Sequence, residues 1–224
     1  MTDASALAAL VADREPATRK GEKTRARIIE AAAAQLAASG YHDLKVLDVC
    51  TAARISTGTF YGHFKDRSAL CEEVVLRAIR SVTDEILVRG AHDKDPFPAI
   101  LETNTRYIGL FVSAGPFNRA LQQLVDESER VRVAWQEANA KIAALIAAGV
   151  ARRTGKEPDL AAARAAQSMV DGVLMQYFAW QDEGLRSAFG DVEELAYRIS
   201  VLWYRLLYTA DPPGAAAGPH KAGA

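Results

Sequence analysis

Cysteine is scarce: Cys50 and Cys71 are the two in 224 residues. Two thiols cannot staple a disulfide framework, and they read as apolar-face cysteines in a reducing compartment. Runs of about 18 apolar residues, the length a membrane-crossing helix needs, do not occur. The Ala-rich stretch Met1–Val11 has neither a basic leader nor a sustained apolar centre, so it does not read as a secretory signal. The expected location is the cytoplasm, with no membrane partner. A large net charge is also lacking. Lys+Arg total 27 and Asp+Glu 28, for a formal net charge of −1. With 50% hydrophobic and 25% charged residues, the chain has the composition of a globular protein, not a disordered one. Histidine is limited to His42, His63, His92 and His220. None has metal-ligand spacing to another His, Cys or carboxylate on a shared face. There is no nucleophile elbow, no phosphate-cradling glycine loop and no plausible catalytic triad. An enzyme, a metal site and a bound cofactor are therefore not expected.

What the sequence has in abundance is helical periodicity, and no alternating strand pattern. The expected class is all-α, with about nine helices. Ile29, Ala33 and Leu36 share one face of a first helix that stops at Ser39-Gly40. Val46, Val49, Cys50 and Ala53 share a face of a short second helix. Ser56 is a good N-cap for a third, running about to Phe64. Asp66 is the N-cap candidate of a long fourth helix with Val75, Ile79, Val82 and Ile86 on one stripe. Gly90–Pro98 breaks the pattern. Five further helices follow, roughly Pro98–Ala114, Pro116–Val125, Ser128–Arg153, Pro158–Glu183 and Asp191–Thr209. The expected organisation is a flexible basic arm (1–20), a small unit of short helices (21–70), a larger helical unit (71–210) and a disordered tail (211–224).

Charge is unevenly spread. From Arg14 to Leu70, 10 basic residues face 6 acidic; from Cys71 onward, 17 face 20. A basic N-terminal segment on a neutral chain suits nucleic acid, although a solvated face often carries such a surplus. Two short helices a few residues apart form a helix-turn-helix pattern, whose second helix enters the DNA major groove. Phe60 and Phe64, with Ile55, can anchor that helix to its core. Thr57, Tyr61 and Lys65 repeat at i, i+4, i+8 on the opposite face and offer donors to phosphate oxygens. Gly58 lets a backbone approach closely.

The ordered series Ile28-Ile29-Glu30-Ala31-Ala32, Ser39-Gly40-Tyr41, Asp48-Val49, Ala52-Ala53 and Ser56-Thr57-Gly58-Thr59-Phe60-Tyr61-Gly62-His63-Phe64-Lys65-Asp66-Arg67-Ser68-Ala69-Leu70 resembles the DNA-binding domain of the TetR family of bacterial transcriptional regulators. The resemblance implies a DNA-contact set of Lys45, Ser56, Thr57, Gly58, Thr59, Tyr61, His63, Lys65 and Arg67. Within it, Thr57, Gly58 and Thr59 lie near base edges or phosphates, and Tyr61 and His63 on the phosphate backbone. Lys45 stands at the start of helix two; Lys65 and Arg67 stand at the start of helix four. Arg19, Lys20, Lys23 and Arg25 form a basic cluster that could reach a minor groove. Three departures stand out. Arg54 occupies a turn position where family members usually carry Gly, and Leu44-Lys45 replace a common Thr. Leu47 stands where a polar, often basic residue is frequent.

The last two helices are apolar on most of their circumference and need covering on more than one side. Met169, Val173, Tyr177, Leu202 and Leu206 are the expected homodimer interface, through the four-helix bundle that the resemblance implies. Helix seven presents Trp135, Asn139, Ile142, Ile146 and Gly149 on one stripe. Asn139, if buried there, needs a hydrogen-bond partner. Tyr107, Phe111, Phe117, Trp135, Asn139 and Phe178 are the candidate walls of a pocket for a small hydrophobic effector. The expected function is a repressor: a homodimer on a palindromic double-stranded DNA operator, released by that effector. The alternative is an effector-independent, all-helical DNA-organising or adaptor protein.

Overall fold

The structure is a computed structural model that describes residues 11–12, 19–89, 95–113, 115–210 and 212–213. The expected basic arm (1–20) apart from residues 11, 12, 19 and 20, and the expected tail (211–224) apart from Pro212 and Pro213, lie outside them, as do His92 and His220. The described residues form ten α-helices and no strand: α1 Lys20–Ser39, α2 Val46–Ala53, α3 Thr57–Tyr61, α4 Arg67–Arg89, α5 Pro96–Ser113, α6 Gly115–Glu127, α7 Glu129–Thr154, α8 Leu160–Leu174, α9 Glu183–Phe189 and α10 Val192–Tyr208. The class is all-α, as the periodicity predicts.

Most helix ends follow from capping chemistry. Ser56 Oγ accepts the Thr59 N–H at 3.1 Å, Asp66 Oδ1 the Ala69 N–H at 2.8 Å, and Asp159 Oδ1 the Ala162 N–H at 2.8 Å. Asp191 Oδ1 accepts from both Glu193 and Glu194. Each satisfies a backbone donor that the first helical turn leaves without a partner. α1 ends at Gly40, whose φ of 82° is a region that a side chain would strain.

The largest departure from the expected helix boundaries lies in the second half of the chain. The helix expected to run from Pro158 to Glu183 leaves the α-helical register after Leu174. A π-helical turn, Met175–Ala179, follows it, and the Trp180 N–H reaches back to the Met175 carbonyl at 3.1 Å. Gln181 then takes φ 56°. Asp182 caps a separate helix, α9, by accepting the Leu185 N–H at 2.8 Å. Met175, Tyr177, Phe178 and Trp180 carry apolar content past Leu174, so periodicity extends the helix through the π-helical turn and misses the separate helix Glu183–Phe189.

The chain divides into two compact units. The first takes its described residues from 1–84 and 112–138, so α6 and the start of α7 pack with α1–α4. Its core joins Ile28, Ile29, Leu36, Val49, Phe60, Leu70, Val74, Phe117 and Leu124, all buried. Val11, within the expected flexible arm, is also buried in this core, and Arg77 Nη1 donates to its carbonyl at 3.3 Å. The second unit takes its described residues from 85–111 and 139–213. Ile108, Ala166, Val170, Leu174, Leu195 and Ile199 form its centre. Inside it, Asn104 Nδ2 donates to Ser200 Oγ at 3.0 Å, and Ser200 Oγ donates to the Ala196 carbonyl at 2.7 Å. That chain ties α5 to α10 without leaving a buried hydroxyl unpaired.

Candidate nucleic-acid interface and effector residues

The helix-turn-helix is built from opposed faces. Val49, Cys50 and Ala53 of α2 turn into the core, as do Phe60 and Phe64 on the other side of the turn. Phe60 is fully buried and packs 6.0 Å from the Phe64 ring, centroid to centroid. Truncating so large a buried ring costs about 3–5 kcal/mol, so Phe60 fixes the roll of α3 about its axis. With that roll set, Ser56, Thr57, Gly58, Thr59, Tyr61 and Lys65 are all exposed. Tyr61 is 59% exposed, its ring braced edge-on against Phe60 at 5.2 Å. A phenol held outward by a buried neighbour is pre-positioned for a partner outside the chain.

α3 is shorter than the periodicity predicts, closing at Tyr61 instead of about Phe64. The helical hydrogen bonds nevertheless persist one step beyond it: the Gly62 N–H reaches the Gly58 carbonyl, and the His63 and Phe64 N–H groups the Phe60 carbonyl. Gly62 has poor helix propensity and sits where the regular turn is lost.

The remaining expected contacts divide by environment. Lys45 is exposed at the N-cap of α2, and Leu47 beside it is 65% exposed. His63 is half-buried. Arg67 is half-buried and engaged within the chain. Its Nη1 donates to the His42 carbonyl at 3.0 Å and the Leu44 carbonyl at 3.4 Å, and its guanidinium lies 4.8 Å over the Tyr41 ring. The geometry makes Arg67 a clamp on the α1–α2 connection. The basic cluster is largely helical. Lys20, Lys23 and Arg25 belong to α1, and the Arg19 N–H donates to Glu22 Oε2 at 3.1 Å. Arg25 stacks 4.4 Å over Phe64 and pairs with Glu73 at 3.5 Å.

Arg54 takes the left-handed conformation at φ 53°, ψ 53°. Its N–H reaches the Thr51 carbonyl, and the Ile55 N–H reaches the Cys50 carbonyl, which closes α2. Glycine occupies such a site without strain, whereas a side chain there costs about 1 kcal/mol. Arg54→Gly should therefore raise the stability of the first unit by roughly 0.5–1 kcal/mol. A urea titration reads this as a higher midpoint; an unchanged or lower midpoint would remove the strain account.

Residues 28–74 match the model of the family described as bacterial regulatory proteins, tetR family. Over those residues the chain is similar to the TetR family. A relative named "Probable acrEF/envCD operon repressor", from Escherichia coli strain K12, is 31% identical over 106 residues, 46% of this chain and 47% of that protein. The chain thus matches less than half the length of that relative. A TetR-family transcriptional regulator from Streptomyces coelicolor superposes with a TM-score of 0.68 at 16% identity, covering 84% of this chain and 82% of that one. The regulator FadR from Bacillus subtilis, solved with stearoyl-CoA, has a TM-score of 0.55 at 15% identity, covering 79% and 96%. At these identities the structural likeness is one of fold.

The expected effector residues do not share one core. Phe117 is buried, and Trp135 partly buried, in the first unit. Tyr107, Phe111 and Phe178 belong to the second, where the Tyr107 and Phe111 rings meet at 5.3 Å. Asn139 is buried. Two polar residues in the second unit escape the sequence reading. Tyr107 Oη donates to Asp171 Oδ1 at 2.8 Å. Burial lifts the Asp171 carboxyl to about 6, against the lowering effects of the Tyr107 hydrogen bond and the Arg164 charge. Burial likewise raises the Tyr107 phenol, and the adjacent carboxylate raises it further. One turn before Asp171, the Gln167 Oε1 is buried with no hydrogen-bond partner. The only sequence sign of either is a Gln and an Asp four apart in an otherwise Ala-rich helix.

The expected dimer residues are mixed in exposure. Leu202 and Leu206 of α10 are 39% and 41% exposed in the single chain, and Val192 is 42% exposed. Met169 and Val173 are half-buried. Tyr177 is buried within its own unit, with its O–H donating to the Gly190 carbonyl at 2.7 Å and Arg186 5.5 Å over its ring.

Proposed function

We propose that this chain is a DNA-binding transcriptional repressor that acts as a homodimer on a near-palindromic duplex and is released by a small hydrophobic effector. The observation that carries the reading is the orientation of α3. Phe60 and Phe64 are locked inward, while Thr57 and Tyr61 of α3, whose start Ser56 caps, and Lys65 just beyond its end remain outside. Thr57, Gly58 and Thr59 approach base edges, and Tyr61, His63, Lys65 and Lys45 approach phosphates. Arg67 contributes by holding the loop before α2. Similarity to a repressor supports the direction of regulation.

One short helix per subunit gives little affinity, and a two-fold pair spaced about 34–36 Å apart reads successive major-groove faces of an inverted repeat. The exposed Leu202 and Leu206 of α10 and the half-buried Met169 and Val173 of α8 supply apolar surface for that pairing. The segment 71–210 then serves dimerisation and effector binding, and 21–70 serves DNA. A relative in fold held stearoyl-CoA, which supports a small-molecule effector as the release signal. Release follows when the effector favours a geometry whose recognition helices no longer match both half-sites.

Selection of bound duplexes from a random pool tests the reading. An enriched inverted repeat with half-sites about one helical turn apart is expected. No enrichment above the input pool, at low salt as well as physiological salt, would refute it. Enrichment of a single unrepeated site would refute the dimer.

A further inference from the structure

α8 carries a buried stripe, Ala163, Ala166, Val170 and Leu174, that packs into the second unit. Gln167 and Asp171 lie on the shoulder of that stripe, one helical turn apart and so on one face. Both are short of hydrogen-bond donors. Gln167 Oε1 is buried and accepts from nothing. The Asp171 carboxylate has four lone-pair directions and accepts one hydrogen bond, from Tyr107. Among the described residues no Lys or Arg pairs with it; Arg164, on the same helix seven residues earlier, acts on it only through its charge. The Tyr107 ring that reaches this carboxylate also meets the Phe111 ring. An anion, two unfilled acceptor sites and aromatic rings therefore share one side of α8.

We propose that this shoulder is a binding site for the ammonium group of a hydrophobic amine. Asp171 supplies the counter-charge, the Gln167 side-chain oxygen accepts a second N–H, and the Tyr107–Phe111 pair takes the apolar body. An ammonium brings three donors and a positive charge, which is what these acceptors lack. Aromatic faces attract the same cation. An anionic ligand would meet a carboxylate and an amide oxygen, both negative, in a site of low polarity, and is excluded. A neutral alcohol could satisfy one acceptor and leave the charge without a partner.

As a binding site the proposal stands alone; as the chemistry of the effector it rests on the repressor reading above. Calorimetry on the full chain without DNA keeps the two apart. The probes are 2-(1-naphthyl)ethylamine, the matching alcohol 2-(1-naphthyl)ethanol, and 1-naphthaleneacetate, at pH 7.5. The amine should bind about tenfold or more tightly than the alcohol, the range of a hydrogen bond to a charged group, and the acid should not bind. Asp171→Asn should abolish the preference for amine while alcohol binding stays within about twofold. Equal binding of amine and alcohol by the unaltered chain would overturn the site, and this comparison needs no variant to fold. So would a preference that survives Asp171→Asn in a variant with the parent helical content. Amine binding that leaves DNA affinity unchanged would uphold the site and remove only its role as effector.

Discussion

Lys65→Ala should weaken binding to every duplex by a similar factor and flatten its salt dependence. Lys65 follows Phe64, whose buried ring fixes the backbone, and its own side chain is exposed at the end of the recognition segment. A phosphate is the same on any sequence, so loss of a phosphate contact lowers affinity without changing preference. In a homodimer each substitution removes two contacts. At about 1 kcal/mol per contact the loss is about 2 kcal/mol, or roughly 30-fold. The slope of log K against log salt should become shallower by about 0.9 for each lost phosphate, close to 2 for the dimer. Tyr61→Phe removes one hydroxyl and keeps the ring packed on Phe60, so it should lower affinity by a smaller factor, again uniformly. Titrations at three salt concentrations on the selected site and on an unrelated duplex measure both effects. Retained affinity, or loss confined to the selected site, would contradict the phosphate assignments.

The two halves of the chain differed in how much their sequence revealed. In the first unit the local signals agree with one another. Ser56 and Asp66 are short-side-chain acceptors placed directly before apolar-periodic segments, and both cap the helices they precede. Arg54 is more telling. A position whose family pattern favours glycine carries a side chain here, and the backbone still takes the left-handed turn. Tertiary packing around Phe60 and Val49 overrides a local cost of about 1 kcal/mol. Arg67 shows the limit of the same reasoning. A cation near a recognition helix reads as a phosphate ligand, yet two backbone carbonyls and the Tyr41 ring claim its guanidinium, and those partners lie 23 to 26 positions earlier in the chain.

In the second unit the sequence offers weaker guides. The register break at Met175–Ala179 leaves no mark, because no glycine or proline interrupts those residues and four of the five are apolar or aromatic. Aromatic residues at helical spacing suggested one lining, but Phe117 and Trp135 pack in the core of the other unit. Asp171 reads as the solvent face of an amphipathic helix until Tyr107, 64 positions away, is seen to donate to it. Long-range pairing of that kind has no periodic signature.

Asp171→Asn should make the protein more stable at neutral pH, by a margin that disappears in acid. Burial holds the Asp171 carboxyl at about 6 in the fold, against an ordinary 3.8. The folded state therefore keeps its proton over a range in which the unfolded chain has lost it. For an acid raised in this way, the contribution to stability is complete below about pH 4, falls as pH rises toward 6, and stays lost above that. Asparagine is neutral throughout, and its side-chain oxygen can still accept the Tyr107 O–H. The gap between variant and parent should thus open across the window from about pH 4 to pH 6 and reach about 2–3 kcal/mol by pH 7.5. For a chain of this size that corresponds to roughly 4–12 °C in thermal midpoint. Denaturant titrations at pH 4.5 and pH 7.5 are the cleaner measurement, since two compact units need not melt together. A margin that is absent at pH 7.5, or equal at both values, would show that Asp171 is not the strained carboxylate described here. If the margin appears as expected, the chain retains at this position a charge that lowers its own stability. On the amine-site proposal, the same substitution should then cost amine binding as it strengthens the fold.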